Sequence, residues 1–91
     1  MDHHAEFVIV TLVGSLRRQA DERRIVVPAL RSMCELAAND EPEIAIDYLV
    51  NTVNSYGLTL KREERDRLSA LAVRLDHLDV LADIRPELIL P

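Results

Sequence analysis

The sequence predicts a small all-α domain, a single-domain bundle of about four helices over residues 1–91. Apolar residues make up 48% of the chain and recur at helical spacing in each main segment. Residues typical of helix starts and helix ends occur in the middle of the chain. One strand-like run occurs, but no second convincing strand exists to pair with it, and a lone strand is not viable. A chain of 91 residues is long enough for one domain with a modest, mainly aliphatic core.

The first predicted helix covers residues 5–18. Its apolar side chains at helical spacing are Ile9, Leu12, Val13 and Leu16. Arg17 and Arg18 follow, and positive charge in a last turn favours the helix dipole. The run Phe7–Val13 is also β-branched enough for a strand. We favour helix because the partner strand is missing, and we expect residues 19–27 to form a charged link.

The second predicted helix covers residues 28–39. Pro28 suits a helix start, because inside a helix it would remove a hydrogen bond. The expected inward stripe consists of Leu30, Met33, Cys34 and Ala37. The next helix follows with almost no loop.

The third predicted helix, residues 41–56, has the clearest signals. Asp40 is expected to cap its start, Pro42 fits the first turn, and Gly57 ends it in the left-handed conformation. Helical spacing gives one core arc, formed by Ala45, Ile46, Leu49, Val53 and Tyr56. The opposite side carries Glu43, Asp47, Asn51 and Asn54, with Ile44 and Tyr48 on its border.

The fourth predicted helix covers residues 62–76. Its apolar positions at helical spacing are Leu68, Leu71, Ala72 and Leu75, with Leu78 as a candidate continuation. Pro86 stops any later helix. We expect the apolar end of the tail, residues 78–91, to pack back in an extended form.

The net charge of −5 is concentrated in one third of the chain. Residues 1–31 hold five basic and four acidic side chains, and residues 61–91 hold six basic and seven acidic ones. Residues 32–60 hold five acidic side chains and no lysine or arginine. A patch of one sign repels nucleic acid and attracts a basic partner.

A docking surface is predicted on the acidic helix, at Glu41, Glu43, Asp47, Tyr48 and Asn51. Negative charge in a first turn stabilises a helix, which explains the two glutamates without any partner. It does not explain Asp47, which lies four residues from Glu43 with no basic residue in reach on the same helix. A carboxylate, an aromatic ring and an amide on one rim are suited to binding a protein.

Few residues of the sequence are suited to catalysis or metal binding. We predict no enzyme, no metal site and no cofactor. His3 and His4 with Asp2 or Glu6 offer a weak metal set on a terminus. We interpret His77 as an ordinary residue at a helix terminus and Cys34 as a core thiol. The two glycines form no phosphate loop. The basic set Arg17, Arg18, Arg23 and Arg24 could touch phosphates, but the acidic balance weighs against nucleic-acid binding.

Compartment signals favour the cytoplasm. A single cysteine cannot form an internal disulfide, which fits a reducing environment. The first residues lack the positive region of a secretory signal. The apolar run from Phe7 to Leu16 is about half the length that a bilayer span needs.

The middle of the chain resembles the MafI-type immunity proteins of bacterial polymorphic toxin systems. The resemblance rests on EIAIDYLVNTVNSYG (residues 43–57), LTLKREE (residues 58–64) and RLSALAVRL (residues 67–75). In that family an acidic, Ala- and Leu-rich helix runs into a Tyr-centred turn, and an apolar segment ending in Ser-Arg-Glu-Glu leads into a Leu-rich helix. This chain departs at three positions: Gly57 replaces an acidic residue, Thr59 a proline and Lys61 the capping serine.

The resemblance implies a protein that neutralises a cognate toxin domain in the producing cell. Toxins of such systems are often nucleases with basic clefts, which an acidic helix surface can cover. The alternative class is a non-catalytic helical adaptor or a homodimerising regulatory module. A small DNA-binding regulator ranks last. No direct nucleic-acid contact and no membrane contact are expected.

Overall fold

The computed structural model describes residues 3–91 as a helical bundle. Its four α-helices are α1 (His3–Arg23), α2 (Ala29–Ala38), α3 (Pro42–Tyr56) and α4 (Arg62–Arg74). The predicted all-α class is confirmed. Residues 7–13 lie inside α1, so the helix interpretation of that run is confirmed and the strand alternative is wrong.

Helix α2 packs against both α1 and α3, and α4 packs against α1. The predicted apolar stripes meet in one aliphatic core. Its largest fully buried side chains include Ile9, Leu12, Leu16, Met33, Ile46, Leu49, Leu68 and Leu71. Cys34 and Leu75 were predicted in these stripes, but they are only half-buried at the margin of the core.

Helix α1 continues to Arg23, so the prediction of a link over residues 19–27 is wrong for its first half. Ala20 is buried and extends the stripe of Leu16 by one turn. Gln19 donates from Nε2 to the carbonyl oxygen of Thr59 (2.6 Å) and accepts from the Thr59 N–H (2.9 Å). These contacts with a distant loop hold the extra turn. The helix ends where Arg24 adopts a left-handed backbone, with φ of 56°.

The predicted cap at Asp40 is wrong. Asp40 has a left-handed backbone with φ of 60°, and Glu41 occupies the position before the first helical residue of α3 without a side-chain cap bond. The chain uses this turn to close α2, because the Glu41 N–H donates to the carbonyl oxygen of Leu36 (2.9 Å). Aspartate tolerates the left-handed region better than most residues, which suits it to this turn.

Gly57 ends α3 as predicted, with φ of 63°. The core assignment of Tyr56 is wrong, since the residue is 41% exposed. It occupies the last turn of α3, where helical spacing still points to the core but the neighbouring helices no longer cover the position. Leu78 is likewise exposed and does not continue the stripe of α4.

The tail packs back onto the bundle, as expected, but through 3₁₀ turns rather than in extended form throughout. A 3₁₀ segment spans Leu78–Asp83, and a single 3₁₀ turn spans Pro86–Leu88. Strand β2 (Ile89–Leu90) then pairs in parallel with β1 (Leu60–Lys61), with Leu60 opposite Ile89. Ile84 and Leu88 are buried and join the core.

Candidate docking surface on helix α3

The five predicted binding residues are all exposed along one side of α3 and its start. Glu43, Asp47 and Asn51 follow one another at four-residue spacing, which places them in one row along the helix. Ile44, 42% exposed, and Tyr48, 44% exposed, form a second row beside it. We call the six residues Glu41, Glu43, Ile44, Asp47, Tyr48 and Asn51 the α3 face.

Asp47 has a partner within the molecule that the sequence did not reveal. Its Oδ1 lies 2.7 Å from Nε2 of His77, which follows α4. An Nε2–H donates to a carboxylate whether the imidazole is neutral or charged. The Asp47 side chain remains 49% exposed and the His77 side chain 27% exposed. The contact joins the turn that follows α4 to α3, so Asp47 has a structural role besides any role in binding.

Asn54 fixes the tail along the same edge of α3. Its Nδ2 donates to the carbonyl oxygen of Asp83 (2.8 Å), and its Oδ1 accepts from the Arg85 N–H (3.1 Å). The Arg85 guanidinium donates to the Asn54 carbonyl oxygen (2.9 Å). Asn54 lies seven residues after Asp47 and therefore on nearly the same side of the helix. The tail is therefore bonded along this edge of α3, while all six residues of the α3 face remain exposed.

Among the residues that the structure describes, no counter-ion contacts the acidic charges at the start of the face. Glu35, in α2, is paired with Arg31 through an Nε–Oε1 distance of 3.2 Å. Within residues 3–91, neither Glu41 nor Glu43 forms an ion pair. The α3 face thus presents uncompensated carboxylates beside an exposed isoleucine and tyrosine.

Among residues 3–91, the remaining candidates for catalysis or metal binding are the histidines and Cys34. His3 Nδ1 lies 4.0 Å from the Glu6 carboxylate, and His77 contacts Asp47. No group of three His, Cys, Asp or Glu side chains in that range is placed to hold a metal ion. The predicted set with Asp2 lies partly outside the described residues. Cys34 packs half-buried against the core.

A second surface was not predicted from the sequence. An open groove of about 540 Å³ runs between α1 and α4, lined by His4, Phe7, Val8, Thr11, Leu12, Glu64, Arg67 and Ala70. Phe7 is the only phenylalanine of the chain, and it is 69% exposed. The sequence did contain a signal for an exposed Phe7, because this residue falls outside the apolar stripe of Ile9, Leu12 and Leu16.

Comparisons with protein-family models, curated proteins and solved structures find no match to this chain. The resemblance to the MafI-type family therefore stays a prediction. Among residues 3–91, no helix combines the length and the apolar character that crossing a bilayer requires.

Proposed function

We propose that the protein is an immunity protein that binds and neutralises a cognate bacterial toxin domain through the α3 face. One observation carries the proposal. The uncompensated carboxylates of Glu41 and Glu43 share one surface with the exposed side chains of Ile44 and Tyr48. The partner that fits is a protein with a basic surface, and a nuclease cleft has that character. The resemblance of residues 43–75 to MafI-type proteins supports the same function.

The two parts of the face have different roles in this proposal. The carboxylates speed association by long-range attraction, which salt screens. Tyr48, flanked by Ile44, provides contact area at low entropic cost and slows dissociation. Binding therefore weakens as salt rises, mainly through the association rate.

Asp47 lies at the edge of the proposed interface, next to the tail. We expect Asp47→Lys to weaken toxin binding by at least about tenfold, since close interfacial charge pairs can be worth 2–5 kcal/mol. The same substitution also removes the contact with His77. His77→Ala is the matched control, because it removes that contact and keeps the carboxylate.

The test uses the carboxy-terminal domain of the protein encoded immediately upstream, in a catalytically inactive form. Surface plasmon resonance at two salt concentrations gives both rate constants. Glu43→Lys should lower the association rate, Tyr48→Ala should raise the dissociation rate, and His77→Ala should bind like the native protein. If Asp47→Lys and Tyr48→Ala bind as tightly as the native protein, the α3 face is only a solvated helix surface.

The alternative is a non-catalytic adaptor or a homodimerising regulatory module. The apolar groove between α1 and α4 favours this alternative, because the proposed toxin contact does not use that surface. Co-expression separates the two functions. An immunity protein restores growth of cells that produce the active toxin domain, whereas an adaptor does not. In either case we expect the purified protein to have no catalytic activity.

A further inference from the structure

The groove between α1 and α4 combines a cavity and a protruding side chain in one patch. Val8 and Leu12 are buried at its base, and the small side chains of Thr11 and Ala70 line its sides. Phe7 stands at its edge, 69% exposed. The open volume of about 540 Å³ leaves room for an aromatic side chain.

A patch that holds both a cavity and the side chain to fill it is complementary to itself. A twofold axis brings the same patch of two copies together, so that each residue meets the other copy's equivalent surface. Under that symmetry, Phe7 of each copy enters the groove of the other. Two exposed phenylalanines are then buried at the centre of the contact, where aromatic residues contribute most to binding.

Charge at the rim supports a second copy as the occupant. Glu64 and Arg67 lie about one turn apart on α4, and both line the groove. Two α4 helices that pack antiparallel across a twofold axis place Glu64 of one copy beside Arg67 of the other, and the reverse. Oε1 of Glu64 accepts from the Lys61 N–H (2.8 Å), which leaves its other carboxylate oxygen for this contact. Arg67 has no hydrogen bond or ion pair with any residue of the range 3–91, so its guanidinium is available.

The distribution of charge over the chain agrees with this choice. Two copies with a net charge of −5 repel each other wherever their acidic surfaces meet. The excess belongs to residues 32–60, whereas the segments that contain α1 and α4 are close to balanced. The groove contains no residue of the α3 face.

We propose that the α1–α4 groove is a homodimer interface, closed by mutual insertion of Phe7 and by two Glu64–Arg67 pairs. This inference does not rest on the proposed immunity function, and it is tested on the protein alone. Dimerisation through this surface leaves the α3 face of each copy free for another partner.

Sedimentation equilibrium between about 1 μM and 1 mM measures the dimer dissociation constant. Phe7→Asp should raise that constant about thirtyfold or more, the effect of losing a central aromatic contact. Val26→Asp is the matched control, because Val26 is an exposed apolar residue in the connection between α1 and α2 and outside the groove. It should leave the constant unchanged. Thermal melts confirm that each variant folds.

Charge substitutions test the pairing itself. Arg67→Glu should raise the dissociation constant, because two glutamates then face each other, and adding Glu64→Lys should restore part of the affinity. A native protein that is monomeric at about 1 mM overturns the proposal. So do equal effects of Phe7→Asp and Val26→Asp, or a double variant with no recovery. A monomer that loses toxin binding on Phe7→Asp also overturns it, since the groove then receives the toxin.

Discussion

Replacing Asn54 with alanine should release the tail from α3. The side chain of Asn54 makes two hydrogen bonds to the tail, one to the Asp83 carbonyl oxygen and one from the Arg85 N–H. The third bond, from the Arg85 guanidinium, goes to the Asn54 backbone and survives the substitution. Two lost bonds at about 0.5–1.5 kcal/mol each give a loss of roughly 1–3 kcal/mol. Water reaches this site, which favours the lower half of the range.

Asn51→Ala is the matched control, one turn earlier on the same helix. Asn51 is exposed, and no hydrogen bond of its side chain is found within residues 3–91. Both variants gain the same helix propensity from alanine, at most about 0.7 kcal/mol, so their difference isolates the two bonds. In a domain of this size, each kcal/mol lowers the melting temperature by about 4–8 °C.

Two measurements check this prediction. Urea unfolding should place Asn54→Ala about 1–3 kcal/mol below Asn51→Ala in the free energy of unfolding. Hydrogen exchange should show faster opening of residues 84–90 in Asn54→Ala alone. Equal free energies of unfolding, with equal exchange in the tail, would show that the Asn54 bonds contribute nothing and that the buried side chains hold the tail by themselves.

Four further outcomes are expected. Leu49→Ala or Leu71→Ala should each lower the free energy of unfolding by about 2–5 kcal/mol in urea, because both side chains are buried. Leu78→Ala, at an exposed site, should change it by less than about 1 kcal/mol. Gln19→Leu should lower it by about 1–3 kcal/mol, since the bonds of Gln19 to Thr59 are lost, and equal stability would refute their role. A chelator should leave the melting temperature unchanged, and a drop would reveal a metal site.

The sequence by itself determined the four helices and most of the core. Helical spacing of apolar residues is a local property, so Leu49, Leu71 and their neighbours could be assigned without knowing what they contact. Gly57 could be assigned as a helix end for the same reason, since its left-handed backbone is a property of glycine itself. The exposed positions of the α3 face followed from the same periodicity.

Only the tertiary structure decided the contacts between distant residues. Asp47 meets His77 across 30 positions of the chain, and Gln19 meets Thr59 across 40. No local pattern encodes such pairs, because helix packing brings them together. The same cause explains the two wrong assignments on either side of α3. Asp40 forms the turn that ends α2, so it does not cap α3. Tyr56 lies where no neighbouring helix covers it. In both cases packing overrides what capping preference and helical spacing indicate.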